Sequence, residues 1–333
     1  MPGRVLVALD SFKGTFSASH VAAALTRGLR AGGREVCELP VADGGEGTLD
    51  ALLSALGGKR RAATVADPLG RPVEAAYGLL PDGTAIVESA QASGLGLVAE
   101  ADRDAWASST YGTGELIVAA VQEGSSRVLV AVGGTATTDA GEGAIAALEK
   151  AAAEVELVAL CDVQTPWEDA ARVFGPQKGA DPATVRRLER RLEGLALRAP
   201  RDPRGVPMTG AGGGLAGGLW AFRSARLVSG GPYVLDAVDF DEKLERAALC
   251  VTGEGALDQQ SAAGKIVGEV AARCRLAGIP CQAVVGENRL GPGALGLTRV
   301  IEAGTLAALE QAGRAIATTA TALALDESGN HTR

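Results

Sequence analysis

The sequence predicts an α/β fold built on a doubly wound parallel sheet, with a second α/β domain inserted into the first. Apolar runs of strand length recur along the chain, each ends in a loop, and helical patterns lie between several of them. Strands that are apolar throughout and alternate with helices are typical of parallel sheets covered on both faces. The 333 residues suggest two domains, at about 150 residues per domain.

Six runs are predicted to be strands of the parallel sheet: RVLVALD (4–10), EVCELPVAD (35–43), RVLVAVGG (127–134), VELVALCD (155–162), ALCVTGEG (248–255) and PCQAVVGE (280–287). Helices are predicted over 17–33, 114–124 and 265–278, where apolar residues recur at helical spacing. The first of these opens on Ser17 and closes on glycine, which are helix start and stop signals in the expected order.

Two regions depart from this alternation and are predicted to form the inserted domain. Residues 60–92 contain three strand-like runs separated by DPLGRP and PDG turns, which predict an antiparallel meander. Residues 163–235 combine a proline-bounded loop, a charged helix and a glycine-rich run. The resulting division assigns 1–58, 118–162 and 240–325 to the first domain, 59–117 and 163–239 to the second, and 326–333 to a disordered tail.

Composition excludes several classes of function. A net charge of −8 argues against a nucleic-acid partner, because phosphate backbones need a basic surface. No apolar run approaches about 18 residues, so we expect no membrane partner and a cytoplasmic location. Five scattered cysteines without metal-type spacing do not predict a disulfide framework or a zinc site. The two histidines, His20 and His331, exclude histidine-based triads and multi-histidine metal sites.

Acidic residues follow the predicted strands or lie in the loops after them. Ligands of an open parallel sheet bind beyond the carboxyl ends of its strands. The sequence places five acidic residues there: Asp10, Asp43, Asp139, Asp162 and Glu254. Each alone is also an ordinary turn or N-cap residue. Gathered together they would repel one another, so the cluster predicts Mg²⁺ bound through one or two carboxylates and a phosphate ligand.

Glycine loops supply candidate anion sites. GGTATT (133–138) follows a strand and would let backbone N–H groups approach phosphate oxygens, although a tight turn alone explains it equally well. GAGGGLAGG (210–218) contains a formal G-x-G-x-x-G but lacks a preceding strand. We therefore interpret this second segment as close helix packing or an anion cradle, and not as a nicotinamide site.

Lysine is rare, and its positions are informative. Only six of the 32 basic residues are lysine, and four of the six adjoin a glycine: Lys13, Lys59, Lys178 and Lys265. Lys265 precedes the predicted helix over 265–278, where its charge opposes the helix dipole. An anionic ligand at that position would resolve the conflict.

Seven ordered motifs together resemble the class I, two-domain bacterial glycerate kinases: DSFKGTFSA, VADGGEGT, GGTATTDAGEG, CDVQTP, FGPQKGA, GAGGGLAGG and TGEGALDQQSAAGK. The resemblance covers about residues 4–320. It implies a flavodoxin-like domain, a second α/β domain and an active-site cleft between them. It also implies ATP-dependent phosphorylation of D-glycerate with Mg²⁺ or Mn²⁺, yielding 2-phosphoglycerate or, as the alternative, 3-phosphoglycerate. The resemblance leaves open whether the chain forms a homodimer.

The resemblance, taken with the residue patterns, assigns roles to particular residues. The catalytic set comprises Asp10, Lys13, Asp43, Asp139 and Lys265. The glycerate-binding set comprises Glu46, Asp162, Lys178 and Asp258. The nucleotide-binding set comprises Gly133, Gly134, Thr135, Gly212, Gly213 and Glu254. The metal ligands would be Asp43 and Asp139, and the general base would be Asp10 or Asp139.

Two departures from the family pattern bear on these expectations. Thr138 stands where the family usually has asparagine, and the excursion that usually follows the helix ending at Lys150 is missing. The alternatives are a kinase for a related hydroxy acid and a catalytically silent binding protein with the same fold. Retention of the acidic residues and lysines favours an active enzyme.

Overall fold

The computed structural model describes residues 3–12, 15–262, 265–291 and 293–328. The chain divides into two compact units. Unit 1 comprises residues 1–43, 50–55 and 234–333, and unit 2 comprises residues 44–49 and 56–233. Unit 2 is therefore inserted into the chain of unit 1, as predicted.

The strands are named in chain order as follows: β1 Val5–Leu9, β2 Val36–Glu38, β3 Lys59–Ala66, β4 Pro72–Leu79, β5 Thr84–Glu88, β6 Arg127–Val132, β7 Glu156–Cys161, β8 Arg226–Ser229, β9 Leu249–Gly253, β10 Ala256–Leu257, β11 Cys281–Val285, β12 Glu287–Asn288 and β13 Arg299–Glu302. All six predicted strands are present. Strands β8 and β13 are additions that the sequence patterns did not predict.

The α-helices are named in the same way: α1 Ala18–Ala31, α2 Thr48–Leu56, α3 Ser89–Ser93, α4 Tyr111–Gln122, α5 Glu142–Lys150, α6 Ala170–Phe174, α7 Pro182–Ala196, α8 Leu215–Arg223, α9 Gly230–Ala237, α10 Phe240–Glu245, α11 Gln259–Ala262, α12 Ile266–Ala277 and α13 Leu306–Ser328. Helix α1 begins after Ser17, whose side chain accepts from the backbone N–H of His20. Within the described chain, none of these helices has the length and apolarity needed to span a membrane.

Unit 1 contains a five-stranded sheet in the order β13-β11-β9-β1-β2, and every neighbouring pair is parallel. Numbered within this unit, the order is 2-1-3-4-5, which is the flavodoxin-like order. Its strands β1, β9 and β11 are buried along their whole length. The predicted doubly wound, flavodoxin-like sheet is confirmed.

Unit 2 contains a six-stranded sheet in the order β3-β4-β5-β6-β7-β8. Strands β3, β4 and β5 form the antiparallel meander predicted over 60–92, and the pairs from β5 to β8 are parallel. A buried apolar cluster lies between this sheet and helices α4, α5 and α8. Unit 2 is thus a mixed α/β unit with its own core.

The predicted assignment of residues 118–162 to the first domain is wrong. Strands β6 and β7 pair with β5 and β8 in the sheet of unit 2. Both sheets contain continuous apolar parallel strands, so the pattern of these runs does not reveal which sheet they join. At the other end of the chain, α13 extends to Ser328, beyond the predicted start of a tail at 326. Residues 329–333 lie outside the described residues.

Helices α1 and α13 of unit 1 approach each other closely at glycines. A Cβ atom added to Gly28 would lie 2.0 Å from the backbone oxygen of Glu310, and one added to Gly313 would lie 2.3 Å from that of Leu25. Backbone atoms cannot move aside as a flexible side chain can. The contact therefore requires glycine at both positions.

We expect Gly28→Ala to lower the free energy of unfolding by about 2–3 kcal/mol, because the added methyl overpacks a backbone contact. Gly194→Ala, in the interior of α7, is the matched control, since a Cβ there meets nothing within 4 Å. It should stabilise by up to about 1 kcal/mol through helix propensity. Urea unfolding of both variants measures the difference, and equal effects of the two substitutions would contradict this account of the helix contact.

Candidate active site

Unit 1 carries a pocket of about 310 Å³ at the carboxyl ends of its strands. Its lining includes Asp10, which follows β1, and Glu254, which follows β9. Strands β1 and β9 are neighbours, and β2 lies on the other side of β1, so the order of strands reverses between them. This is the position at which open α/β sheets bind ligands. We call it the unit 1 pocket.

Three carboxylates line the unit 1 pocket. Asp10 is 2% exposed and Glu254 is 7% exposed, and Asp258 is half-buried. The Asp10 carboxylate accepts a hydrogen bond of 2.6 Å from the backbone N–H of Ser11. The Ser11 hydroxyl is buried and has no hydrogen-bond partner among the described residues. Hard oxygen donors of this kind suit Mg²⁺, so the donor set fits the expected ion.

Lys265 also lines the unit 1 pocket. It is the N-cap residue of α12, with extended backbone angles of φ −70° and ψ 167°, as the sequence predicted. Its charge opposes the helix dipole but lies at the same cavity as the three carboxylates. Lys13, the other lysine expected near Asp10, lies outside the described residues.

Unit 2 carries a separate pocket of about 200 Å³ at the carboxyl ends of β6 and β7, which we call the unit 2 pocket. Its lining includes Gly133, Gly134, Thr135, Asp162, Lys178 and Gly212. Gly134 has a φ of +64°, a conformation that favours glycine. The N–H of Gly133 donates to the Ser89 hydroxyl, whereas those of Gly134 and Thr135 have no partner among the described residues. Two N–H groups are thus available to an anion.

Lys178 is the principal charge of the unit 2 pocket. It is 2% exposed, and its ammonium nitrogen donates to Thr135 Oγ1 at 3.2 Å and to the backbone oxygen of Thr137 at 2.5 Å. Burial lowers the pKa of Lys178 to about 7, against a smaller opposing effect of Asp139. An anionic ligand beside this amine would favour its protonated form.

The glycine-rich segment 210–218 packs closely against its surroundings. Gly212, Gly213 and Gly214 have φ values of +62°, +69° and +90°. A Cβ on Gly213 would lie 2.0 Å from the backbone oxygen of Thr137 and 2.9 Å from the Lys178 nitrogen. The segment begins in a turn and leads into α8, with no strand before it. Close packing, as predicted, accounts for these glycines.

Asp139, which the sequence analysis predicted as base or metal ligand, accepts several hydrogen bonds. It is 1% exposed, and its carboxylate accepts from the backbone N–H and hydroxyl of Thr110, each at 2.8 Å. It also accepts from the N–H groups of Gly141 and Gly143 at 3.2 Å. Most of its acceptor capacity is therefore used to fix the loop before α5, and Asp139 lines neither of the two pockets.

The five acidic residues predicted in one crevice are divided between two sheets. Asp10 and Glu254 share the unit 1 pocket, whereas Asp162 lines the unit 2 pocket. Asp43 is 2% exposed and lies in unit 1, and it lines neither pocket. Asp139 and Asp162 follow β6 and β7 of the second sheet, so the five carboxylates do not share one sheet edge, and their gathering at one site stays a prediction.

Glu88 is a site residue that the sequence analysis missed. It ends β5, is 3% exposed, and its Oε1 accepts from the N–H groups of Gly47 and Leu49, each at 2.8 Å. It therefore anchors the segment VADGGEGT, whose Glu46 side chain is exposed. Glu88 is the last residue of a short strand that is buried along its whole length, and a single glutamate at that position does not by itself indicate a role.

Thr138, at the position of the family's asparagine, is fully buried. Its hydroxyl has no hydrogen-bond partner among the described residues, and the same holds for the neighbouring Thr137. A buried hydroxyl without a partner is costly unless a ligand or water meets it. Thr137 and Thr138 therefore leave two such hydroxyls in the segment that follows Gly134 and Thr135.

The chain has the features of an enzyme that positions phosphoryl groups. It has two α/β units, carboxylates at a reversal of strand order, and a glycine loop beside a buried lysine. The family model of the glycerate kinase family matches residues 5–152 and 148–326. The chain belongs to the glycerate kinase family and is a kinase. The two matched segments meet at 148–152, where the sequence lacks the excursion after Lys150.

Relatives with assigned names support this membership. The chain is 36% identical to a glycerate kinase of Halalkalibacterium halodurans, over 87% of this chain and 86% of that protein. It is also 36% identical to the glycerate 2-kinase of Escherichia coli K12, over 79% of this chain and 80% of that protein. A crystal structure from Salmonella typhimurium LT2, provisionally described as glycerate kinase 2, superposes with a TM-score of 0.82 at 31% identity. It covers 97% of this chain and 99% of that one.

The lowered pKa of Lys178 predicts a pH dependence of stability. Between about pH 7 and its usual value of 10.5, the unfolded chain holds a proton on Lys178 that the folded chain lacks. The free energy of unfolding should therefore rise with pH in this window, by up to about 1.4 kcal/mol per pH unit from this residue. Lys178→Met should lack this contribution.

Urea unfolding at pH 7, 8 and 9 measures this contribution. The free energy of unfolding of the wild type, minus that of Lys178→Met, should grow with pH. Lys59→Met is the matched control, because Lys59 is exposed at the start of β3. Parallel pH profiles for wild type and Lys178→Met would show that Lys178 keeps an ordinary pKa.

Proposed function

We propose that this kinase transfers the γ-phosphoryl group of ATP to D-glycerate and yields 2-phosphoglycerate. The observation that carries the proposal is the unit 1 pocket, where Asp10, Glu254, Asp258 and Lys265 line one cavity at the strand-order reversal. Family membership and the name of the Escherichia coli relative, glycerate 2-kinase, support the substrate and the phosphorylated carbon.

In this proposal the unit 1 pocket binds glycerate. Lys265 pairs with the glycerate carboxylate, and Asp10 accepts the proton of the attacking hydroxyl. Asp10 is the better candidate for the base, because it lines the unit 1 pocket, whereas the Asp139 carboxylate already accepts hydrogen bonds from Thr110, before α4, and from the N–H groups of Gly141 and Gly143. A carboxylate within hydrogen-bond reach of the hydroxyl is what proton transfer requires.

The unit 2 pocket binds phosphate groups of ATP in this proposal. Its hydrogen-bond donors are the N–H groups of Gly134 and Thr135 and the amine of Lys178. None of these donors carries a negative charge that would repel a phosphate group. Gly133, Gly134 and Gly212 line the pocket without adding side chains to it. Because Lys178 has a pKa of about 7, a bound phosphate would hold it in the charged form at neutral pH.

Glu254 and Asp258 would hold Mg²⁺ or Mn²⁺, since both residues line the cavity that Asp10 also lines, and Asp10 keeps its role as the base. When bound, the ion supplies charge neutralisation for the phosphate oxygens. Asp43 and Asp139 line neither the unit 1 pocket nor the unit 2 pocket, so the metal-binding roles expected of them stay predictions of the family resemblance. Asp139 acts as a positioning residue that fixes the loop 133–143.

The transfer itself is a single displacement. The C2 hydroxyl oxygen of glycerate forms a bond to the γ-phosphorus while the bond from that phosphorus to the β,γ-bridging oxygen breaks, and ADP leaves with the bond's electron pair. The hydroxyl proton goes to Asp10. Phosphoryl transfer depends mainly on positioning and charge stabilisation, which suits pockets built from carboxylates, lysines and backbone N–H groups.

Roles for Lys13, Asp43, Glu46 and Asp162 stay predictions of the family resemblance. The cleft between the units, a homodimer and a cytoplasmic location stay predictions as well. Nothing in the net charge of −8 favours a nucleic-acid partner.

The proposed reaction predicts ADP release that requires D-glycerate, ATP and Mg²⁺ together. The ³¹P signal of the product should be split into a doublet by the single proton on C2, whereas phosphate on C3 would give a triplet. L-glycerate is the matched control substrate. A triplet would overturn the assignment to C2, and ATP–Mg²⁺ stabilisation without turnover of D-glycerate would indicate another hydroxy acid.

Lys265→Ala should lower kcat/KM at least about 100-fold with little change in melting temperature, because it removes a charge from the pocket and little packing. Lys59→Ala is the matched control, since it removes an exposed lysine next to a glycine outside both pockets. Steady-state kinetics and thermal unfolding of both variants provide the test. Full activity of Lys265→Ala would contradict the proposed role.

A further inference from the structure

Three cysteines of unit 1 converge although they are far apart in sequence. Cys250, Cys274 and Cys281 have their Sγ atoms within 4.8 Å of one another, and none is in a disulfide. Each sulfur is within hydrogen-bonding reach of the other two. The sequence spacing predicted no metal site, so this cluster, which we call the thiol cluster, is a product of the tertiary structure.

The βαβ connection explains the convergence. Cys250 lies on β9 and Cys281 on β11, and the two residues are register partners in neighbouring parallel strands. Helix α12 connects these strands and carries Cys274 near its C-terminal end. A crossover helix runs antiparallel to its strands, so its last turn lies over the strands' first residues. All three sulfurs therefore meet at the amino-terminal edge of the sheet.

The thiol cluster is separate from the unit 1 pocket. Cys250 precedes Glu254 by four positions on an extended segment, which corresponds to about 13 Å along the strand. The pocket lies at the carboxyl edge of the sheet and the cluster at the opposite edge. No role in the proposed kinase reaction accounts for the cluster.

We propose that the thiol cluster is a binding site for a soft, thiophilic metal ion, with Cu(I) as the ion it fits best. Thiolate ligands select Cu(I) and Zn²⁺ among biological metals. Three sulfurs around an ion at about 2.3 Å would lie about 4 Å apart, which is compatible with three Sγ atoms that all lie within 4.8 Å of one another.

The number of ligands distinguishes the two ions. Structural Zn²⁺ takes four ligands, and within the described residues no histidine or carboxylate joins the three sulfurs. Cu(I) is satisfied by three sulfurs. The three residues are at most 2% exposed, so an ion bound by their thiolates would be shielded from water.

The end of α12 provides a route for entry. Leu276, two residues beyond Cys274, is 85% exposed, and Arg275, Ala277 and Gly278 are exposed as well. Opening this last turn would bring Cys274 to solvent. Binding forms three Cu–S bonds, and each thiolate formed releases its proton to solvent. Copper enters as Cu(I), so no electron is transferred.

The test is titration of the reduced, full-length protein under nitrogen with Cu(I) held by the coloured chelator bathocuproine disulfonate. We expect one Cu(I) per chain, near-ultraviolet thiolate-to-copper absorption and a raised melting temperature. Cys274→Ser should weaken binding about 100-fold or more. Cys161→Ser is the matched control, because Cys161 is equally buried, on β7, outside the cluster.

Cys281→Ala provides a second variant should Cys274→Ser fail to fold, and circular dichroism checks both. The proposal would be overturned if the wild type did not bind one Cu(I) tightly. It would also be overturned if both cluster variants bound Cu(I) as tightly as the wild type. Tighter binding of Zn²⁺ than of Cu(I) would overturn the three-coordinate assignment. ADP release by the metal-free variants reports on the kinase reaction separately, and it should match that of wild type.

Discussion

The parallel pairing of neighbouring strands is the constraint on which both pockets depend. In unit 1, β1 and β9 pair in register from Val5 with Leu249 to Leu9 with Gly253, so Asp10 and Glu254 emerge at the same edge. In unit 2, the pairing of β6 with β7 brings Gly133 beside Asp162. Each sheet thus gathers its own polar groups at its carboxyl edge. The chain order of these residues does not determine the grouping.

The two pockets differ in electrostatic character. The unit 1 pocket combines three carboxylates with one lysine, which favours a cation and a small hydroxy acid. The unit 2 pocket combines backbone N–H groups and Lys178 with one carboxylate, Asp162, and its N–H groups and amine are donors for an anion. Burying Lys178 costs free energy without such an anion, and its lowered pKa records that cost. A kinase needs both kinds of site in one chain.

The buried carboxylates of this chain fall into two groups: some hold loops through hydrogen bonds, and others line the pockets. Asp139 and Glu88 are buried acceptors of backbone N–H groups and hold the glycine-rich segments that follow or face them. Asp10 also accepts a hydrogen bond from a backbone N–H, that of Ser11, but Asp10 and Glu254 line a cavity. Position at the end of a strand is common to both groups. Lining a cavity, and not place in the sequence, therefore distinguishes the two groups.

The sequence by itself determined the local elements: the six apolar strands, helix α12 with Lys265 at its N-cap, and the antiparallel meander from β3 to β5. It also determined the family, because seven ordered motifs span almost the whole chain. These features are local, and each depends on periodicity, caps or turns over a few residues.

The tertiary structure alone decided which sheet β6 and β7 join, how Asp139 is bonded, how deeply Lys178 is buried and that Cys250, Cys274 and Cys281 meet. Each of these depends on contacts between residues far apart in the chain. The apolar strands of the two sheets have similar compositions, so composition does not assign a strand to its sheet. The sequence around a cysteine likewise does not show whether a helix brings another cysteine beside it. Long-range packing therefore supplied what the sequence patterns could not.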